Sequence, residues 1–373
     1  MLPRHVYIHV PFCARRCTYC DFSIAVRRVV PVDEYTTALG RELDLRVGDQ
    51  GRWSIDTLYF GGGTPSRLGG DGVRRLVDAV RRRLDFATDA EVTLEANPED
   101  VTSEAVRAWR DAGVNRLSIG AQSFHDEVLA WMHRSHDSAA ILRAVENARA
   151  GGIDNLSLDL IFALPGDLTR SWERDVERAL ALDPSHLSLY GLTVEPRTPL
   201  GRSQSRGDLV ELPDERYEAE FVHAHAALTS AGYDHYEVSN FGKPGRHSRH
   251  NSAYWTGAAY LGLGPSAHEF DGANRRWNVA AYTEWLRRVN SGQDPLDESE
   301  QLTPDNRLAE QVYLGLRTEQ GLAAMGSEAS RIGAWIDAGW ATLSPDNRIV
   351  LTALGWLRLD ALAADLTLVR SCY

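Results

Sequence analysis

Apolar runs rich in β-branched residues recur through the first two hundred positions. They lie at "HVYIHVP" (5–11), "IDTLYFGGG" (55–63), "EVTLEANP" (91–98), "RLSIGAQ" (116–122), "NLSLDLIFALP" (155–165) and "HLSLYGLT" (186–193). Runs of this length bounded by turn residues read as strands buried in a sheet. Between them, "VRRLVDAVRRRL" (73–84) and "SEAVRAWRDAG" (103–113) space their apolar residues along one helical face. Gly113 stands where a helix C-cap wants a left-handed residue. Six β–α units with short connections predict a parallel sheet, either open and doubly wound or an incomplete barrel.

Beyond residue 200 the pattern changes. "PRTPLGRSQSRGDL" (196–209) reads as a polar loop, 215–232 as a helix and "YDHYEVSNF" (233–241) as a strand. Residues 245–275 are dense in Gly, His, Asn and aromatics. From 303 onward the order is helix, helix, a hairpin at "ATLSPDNRIVLT" (341–352) and a last helix, as in a winged-helix-like α+β module. Its Glu and Asp content favours a structural role over a DNA-binding one. The expected organisation is a barrel at 1–235, a connecting region at 236–300 and a C-terminal module at 301–373.

A formal charge of −12 over 373 residues argues against a general binder of nucleic acid or of anionic membranes, although a local basic pocket is compatible with it. No apolar run approaches the roughly 18 residues needed to span a bilayer. The N-terminal stretch is too short for a signal peptide and lacks a small-residue cleavage site. A cytoplasmic location is expected, where thiols stay reduced and clustered cysteines serve as metal ligands or catalysts.

That bears on "YIHVPFCARRCTYCDF" (7–22), which carries three of the four cysteines. Cys13, Cys17 and Cys20 have the spacing CxxxCxxC directly after a strand. Soft thiolates select iron–sulfur clusters or zinc. Structural zinc usually takes four protein ligands, and the remaining Cys372 is the penultimate residue. A [4Fe–4S] cluster on three cysteines leaves one iron open to a small molecule. A redox pair of Cys17 and Cys20, or three buried free thiols, are the other readings. "YFGGGTPS" places Gly61, Gly62 and Gly63 after the second strand, where glycines permit close approach to a ligand or simply turn the chain. Asp159 is an acid inside an apolar strand, a costly placement unless partnered.

CxxxCxxC at the end of a first strand, followed by five more β–α units, resembles the radical S-adenosylmethionine (SAM) family. The resemblance implies an incomplete (β/α)6 TIM-like barrel and a cluster whose open iron chelates SAM. Reduction of that cluster would then cleave SAM to a 5′-deoxyadenosyl radical. "YIHVPFC", "FGGGTPS", "EANPE", "SIGAQSF", "DLIFALPG" and "HNSAYWTGAAYLGLGPSAHEF" are similar, over nearly the whole chain, to oxygen-independent coproporphyrinogen III oxidases (HemN) and their relatives. Carried across, the resemblance puts Tyr7 and the three cysteines around the cluster and SAM. It puts Gly62, Gly63, Thr64, Glu95, Gln122, Arg134 and Asp159 at SAM-site positions.

The oxidase pattern continues to a fourth cysteine, CxxxCxxCxC, where this chain has Phe22, and it has an N-terminal extension ahead of the cluster that is not expected here. Both departures favour the HemW-type haem chaperones over the oxidase. That resemblance implies a cluster, SAM and haem as ligands, haem-accepting proteins as partners, no nucleic acid and no integral membrane segment. "HNSAYW" (250–255) resembles the HNxxYW motif of that group, making His250 a candidate haem ligand, with Tyr254 and Trp255 packing on the porphyrin. His247 and His268 are nearby competitors. The alternatives are a radical SAM oxidase acting on a porphyrinogen and, more remotely, a radical SAM methyltransferase or cyclopropanase.

Overall fold

The computed structural model describes residues 2–48, 51–166, 168–210 and 212–371. Six strands follow one another in sequence and in space: β1 (His5–Val10), β2 (Ser54–Gly62), β3 (Asp85–Ala96), β4 (Arg116–Gln122), β5 (Leu156–Phe162) and β6 (His186–Gly191). All five pairings among them are parallel. Parallel neighbours cannot be joined by a tight turn, so helices return the chain between them. These are α1 (Val32–Val47), α2 (Gly69–Arg83), α3 (Ser103–Ala112), α4 (Ser138–Ala150) and α5 (Trp172–Ala181). With helices over the sheet both strand faces are covered, and the strands read as continuous apolar runs. In β5 every residue except Asp159 is buried.

The helices start and stop as the sequence requires. Thr102 caps α3 by accepting a hydrogen bond from the Ala105 amide, and Gly113 closes it at φ 112°. One core of Val, Ile, Leu and Phe side chains runs continuously from β1 to the C-terminal helices.

Past β6 the structure departs from expectation at two points. Residues 196–209, expected as a loop, contain a short helix, α6 (Pro199–Ser205). Thr198 caps it and Pro199 occupies its first position, where a missing N–H costs nothing. After α7 (Asp214–Ser230), the single strand expected at 233–241 is two: β7 (Asp234–Glu237) and β8 (Asn240–Gly242) form a tight antiparallel hairpin with an irregular register. The expected boundary at 235/236 therefore falls inside β7. The region after it is no mere connector. Following α8 (Arg249–Trp255), strand β9 (Tyr260–Leu263) pairs in parallel with β1, and β10 (His268–Phe270), β11 (Asn274–Asn278) and β12 (Leu296–Gln301) extend the sheet antiparallel. The order is β12-β11-β10-β9-β1-β2-β3-β4-β5-β6-β8-β7, an open arc rather than a closed barrel.

The C-terminal module has the expected character. Helix α9 (Pro304–Arg317) precedes β13 (Leu322–Ala323), β14 (Ala341–Leu343) and β15 (Arg348–Leu351), which pair in the order β13-β15-β14. The last helix, α10 (Leu359–Arg370), packs on α9. Cys372 lies outside the described residues.

A buried carboxylate locks the sheet extension to the barrel. Glu42 on α1 accepts hydrogen bonds from the Gly264 amide (2.9 Å), Asn278 Nδ2 (2.6 Å) and Trp285 Nε1 (2.9 Å), and it is fully buried. Glu42→Ala removes the shared acceptor and leaves three donors without their partner, each a loss of about 1–3 kcal/mol before relaxation. Urea unfolding should show a stability loss of ~3 kcal/mol or more; a loss below ~0.5 kcal/mol would mean the extension is held by other contacts.

Candidate functional site

The cysteine loop leaves β1 at its C-terminal end. Phe12 and Cys13 pair in parallel with Ala25 and Val26, and the Arg27 amide donates to the Cys13 carbonyl at 2.9 Å. The loop is thus pinned at both ends, and it is tied twice at its tip. The Thr18 amide donates to the Met132 carbonyl at 3.3 Å, and the Leu200 amide of α6 donates to the Thr18 carbonyl at 3.0 Å.

Cys13, Cys17 and Cys20 all line one cavity of about 410 Å³ at the C-terminal ends of the strands, the end at which β/α barrels build their sites. Among the described residues no three His, Cys, Asp or Glu side chains converge closely enough to hold a single metal ion. Three soft thiolates lining one cavity fit a polynuclear cluster, whose thiolates sit on separate irons. Burial pushes the Cys20 thiol up to about 11 and raises Cys13 as well. Two donors face the sulfurs: Thr64 Oγ1 lies 3.5 Å from Cys13 Sγ, and Arg134 Nη1 lies 3.6 Å from Cys17 Sγ.

Gly62, Gly63, Thr64, Glu95, Gln122, Arg134 and Asp159 line the same cavity as the cysteines. Gly62 has φ 110° and donates its amide to Glu95 Oε2 at 3.1 Å. A Cβ on Gly63 would come within 2.7 Å of the Pro11 backbone, so only glycine lets β2 pass the start of the cysteine loop. Glu95 also accepts from the Tyr59 hydroxyl at 2.8 Å, yet burial and the nearby Asp159 push its carboxyl up to about 7. Asp159 accepts from Ser118 Oγ (3.0 Å) and Ser157 Oγ (3.2 Å), and burial raises its pKa. Gln122 holds φ 67°, an uncommon state for a residue with a side chain and one that concentrates at functional sites. Arg134 is fixed from behind by Asn97 Oδ1 (2.7 Å) and the Gly120 carbonyl (3.0 Å).

Two expected residues lie elsewhere. Tyr7 stacks on Tyr59 at 6.1 Å in the layer below, its hydroxyl 3.2 Å from His9 Nδ1. His250 is 1% exposed, and both its ring nitrogens are engaged, Nδ1 with Thr57 Oγ1 (2.6 Å) and Nε2 with the Tyr254 hydroxyl (2.9 Å). Its amide donates to Glu91 at 3.1 Å, and burial pushes its pKa down to about 3. Both nitrogens of an imidazole so placed are taken by protein hydroxyls, and the ring lies outside the cavity that the cysteines line. It braces α8 against the barrel wall. Nor is Trp255 open to a porphyrin on both faces: the Arg317 guanidinium lies 4.1 Å from its ring centroid and pairs with Glu237 at 2.8 Å. His247 stacks on Tyr236 at 4.3 Å and bonds Asp234 at 3.0 Å. His268 alone of the three is exposed, its ring stacked on Trp277 at 5.6 Å.

One cavity residue was overlooked from sequence. Arg116 is 1% exposed, lines the cavity floor and has no carboxylate within 4 Å among the described residues, while its Nε lacks a partner. Its charge acts at longer range, favouring the ionised forms of both Glu95 and Asp159. The clue was present in "NRLSIG": an arginine in an apolar strand is as anomalous as Asp159.

A partial β/α barrel with a CxxxCxxC loop opening on its C-terminal cavity defines a radical SAM-type protein, and the sequence matches the Radical SAM superfamily over residues 7–179. The heme chaperone HemW of Mycobacterium tuberculosis (strain ATCC 25618 / H37Rv) is 38% identical over 98% of this chain and 95% of its own length. HemW of Bacillus subtilis (strain 168) is 36% identical over 86% and 85%, and HemW of Escherichia coli (strain K12) 42% identical over 71% and 70%. The solved coproporphyrinogen III oxidase HemN of Escherichia coli superposes with a TM-score of 0.81 at 24% identity, covering 97% of this chain and 89% of that one. The chain belongs to the HemW family of radical SAM proteins. Membership of that superfamily implies a [4Fe–4S] cluster and SAM.

Glu95 supplies a pH test. Its carboxyl holds a proton more tightly folded (about 7) than unfolded (4.5). That contribution is full below pH 4.5 and is lost as pH rises through 7, by at most ~3 kcal/mol. Glu95→Gln cannot ionise, so the variant should gain stability relative to the parent chain between pH 4.5 and 7.5 in paired thermal melts. A pH-independent difference would contradict the assignment.

Proposed function

We propose that this chain is a haem chaperone: it carries a [4Fe–4S] cluster on Cys13, Cys17 and Cys20, binds SAM in the adjoining cavity, and binds haem for delivery to acceptor haemoproteins. The observation that carries this reading is near full-length similarity to relatives named as heme chaperones, with the cysteine loop ending in Phe22 rather than a fourth cysteine. A cluster with one open iron would hold the amino and carboxylate groups of SAM and supply an electron to its sulfonium.

The chain's own groups divide that work. Cys13, Cys17 and Cys20 bind the irons. Gly62, Gly63 and Thr64 form an edge of the cavity that would admit SAM without a side-chain clash. Glu95, Gln122 and Asp159, on the wall of the same cavity, would accept hydrogen bonds from the polar groups of SAM, and the Gln122 amide would donate to them. Arg134, held rigid by Asn97 and Gly120, places a positive charge beside Cys17, where it would attract the carboxylate of a bound ligand. Arg116 keeps the floor of the cavity from accumulating negative charge. Tyr7 and His250 act from the next layer, holding Tyr59 and thereby Glu95. The partial barrel at 1–235 holds the cluster and SAM, the region at 236–300 extends its sheet, and the module at 301–373 clamps α8 through Arg317.

No helix among the described residues is long and apolar enough to cross a membrane. We place the chain in the cytoplasm, with transient acceptors that include membrane-associated haemoproteins and no nucleic acid.

Replacing Cys13, Cys17 or Cys20 singly by Ala should abolish the broad absorbance near ~400 nm of anaerobically reconstituted protein; full absorbance in all three would overturn the ligand set. Haem-loaded protein should transfer haem to an apo-haemoprotein. Conversion of coproporphyrinogen III to a vinyl-bearing product, with SAM and reductant, would establish the oxidase reading instead.

A further inference from the structure

The haem reading leaves the docking surface open, since His250 is sealed inside the barrel wall. One surface combines the three properties that haem requires: a free imidazole, exposed apolar side chains and unpaired cations.

The imidazole is His268, at the top of β10. It is the exposed histidine of the sheet extension, no hydrogen bond engages its ring among the described residues, and it stacks on Trp277. The apolar surface belongs to the second half of the cysteine loop, where Phe22 is 59% and Val29 79% exposed. The cations flank these residues. Arg27 and Arg28 are both exposed, and neither has a carboxylate within 4 Å among the described residues, although the chain carries a formal charge of −12. Of the nearby acids, Asp33 pairs with Arg75 and Glu34 accepts from the Tyr282 hydroxyl at 2.8 Å, so Asp21 beside Phe22 is the one exposed carboxylate of the loop, against three arginines, Arg27, Arg28 and Arg67. Arg67 reinforces the positive rim by donating to the carbonyls of Arg27 (2.9 Å) and Arg28 (3.1 Å).

Loop and extension meet at this rim. Ser23 Oγ, next to Phe22, donates to the Ala280 carbonyl at 3.0 Å, and the Asn278 amide donates to Ala267, next to His268, at 3.0 Å. Large exposed apolar side chains ringed by guanidiniums are unusual on a solvated surface and mark recognition of an amphipathic partner. A planar apolar macrocycle with two carboxylates is complementary to it: Arg forks match carboxylates, and imidazole is a common haem iron ligand.

We propose that haem docks on this rim, with His268 as an iron ligand, Trp277, Phe22 and Val29 against the macrocycle, and Arg27 and Arg28 on the propionates. The proposal rests on the haem-chaperone reading and adds the place and the ligand.

The test is a haem titration of the reconstituted full chain, followed by Soret and electron paramagnetic resonance spectra. His268→Ala should shift the Soret maximum or change the iron spin state. R27E/R28E should weaken haem binding by about tenfold or more but leave binding of the haem dimethyl ester, whose carboxylates are capped, much less affected. R27Q/R28Q serves if charge reversal disturbs folding, judged by iron content and circular dichroism. If the unsubstituted chain binds no haem, the functional reading itself falls. If it binds haem and every variant matches it in affinity and spectrum, the reading stands and this docking site is overturned. Loss of binding to anionic vesicles in R27E/R28E, with the haem titration unchanged, would assign the rim to a membrane surface and likewise overturn it.

Discussion

Three thiols on an eight-residue stretch must face one cavity, and the rest of the architecture makes that possible. A short loop can be held open in this way only if both ends and the tip are anchored. Cys13 is pinned through pairing with Val26, and Thr18 is fastened to Met132 and to the start of α6. The glycine just past β2 gives the clearance the loop needs, because a side chain at Gly63 would strike the Pro11 backbone. The cysteine run is therefore not a metal motif grafted onto a barrel. It is the first turn of the barrel, shaped by its neighbours.

Electrostatics is the second constraint. Glu95 and Asp159 stand in a confined cavity beside thiols that become thiolates on binding metal. Such a concentration of negative charge is stable only with compensating cations and donors. Arg134 meets Cys17 directly, Arg116 offsets the carboxylates from the floor, and Ser118, Ser157 and Tyr59 supply neutral donors. The proton held on Glu95 up to about pH 7 is the remaining adjustment. The cavity is thus matched to a ligand bearing both positive and negative groups.

Much of this was legible in the chain. Parallel strands covered on both faces appear as apolar runs, so the six barrel strands could be located, and with them the residues that the fold gathers into one cavity at their C-terminal ends. Helix α6 was not legible, because its seven residues are too few for a periodic signal and only Thr198-Pro199 marks its start. The sheet extension hid among Gly, His and aromatics, since β9, β10 and β11 are short and depend on β1 and Glu42 for their position. The burial of His250 was not legible for a related reason. Its neighbours in sequence are polar, and only tertiary packing of α8 beneath β2 and β3 seals it against Thr57, Tyr254 and Glu91. Arg116 was visible as a charge in an apolar strand, but its relation to Glu95 and Asp159 exists only once the strands are side by side.

The most direct measurement of the central claim is iron, sulfide and zinc content of anaerobically reconstituted protein, with Mössbauer spectra before and after SAM. About four irons and four sulfides per chain are expected, with one iron site changing its parameters when SAM is added. Stoichiometric zinc, or four irons that all stay unchanged by SAM, would contradict a three-cysteine cluster with an open corner.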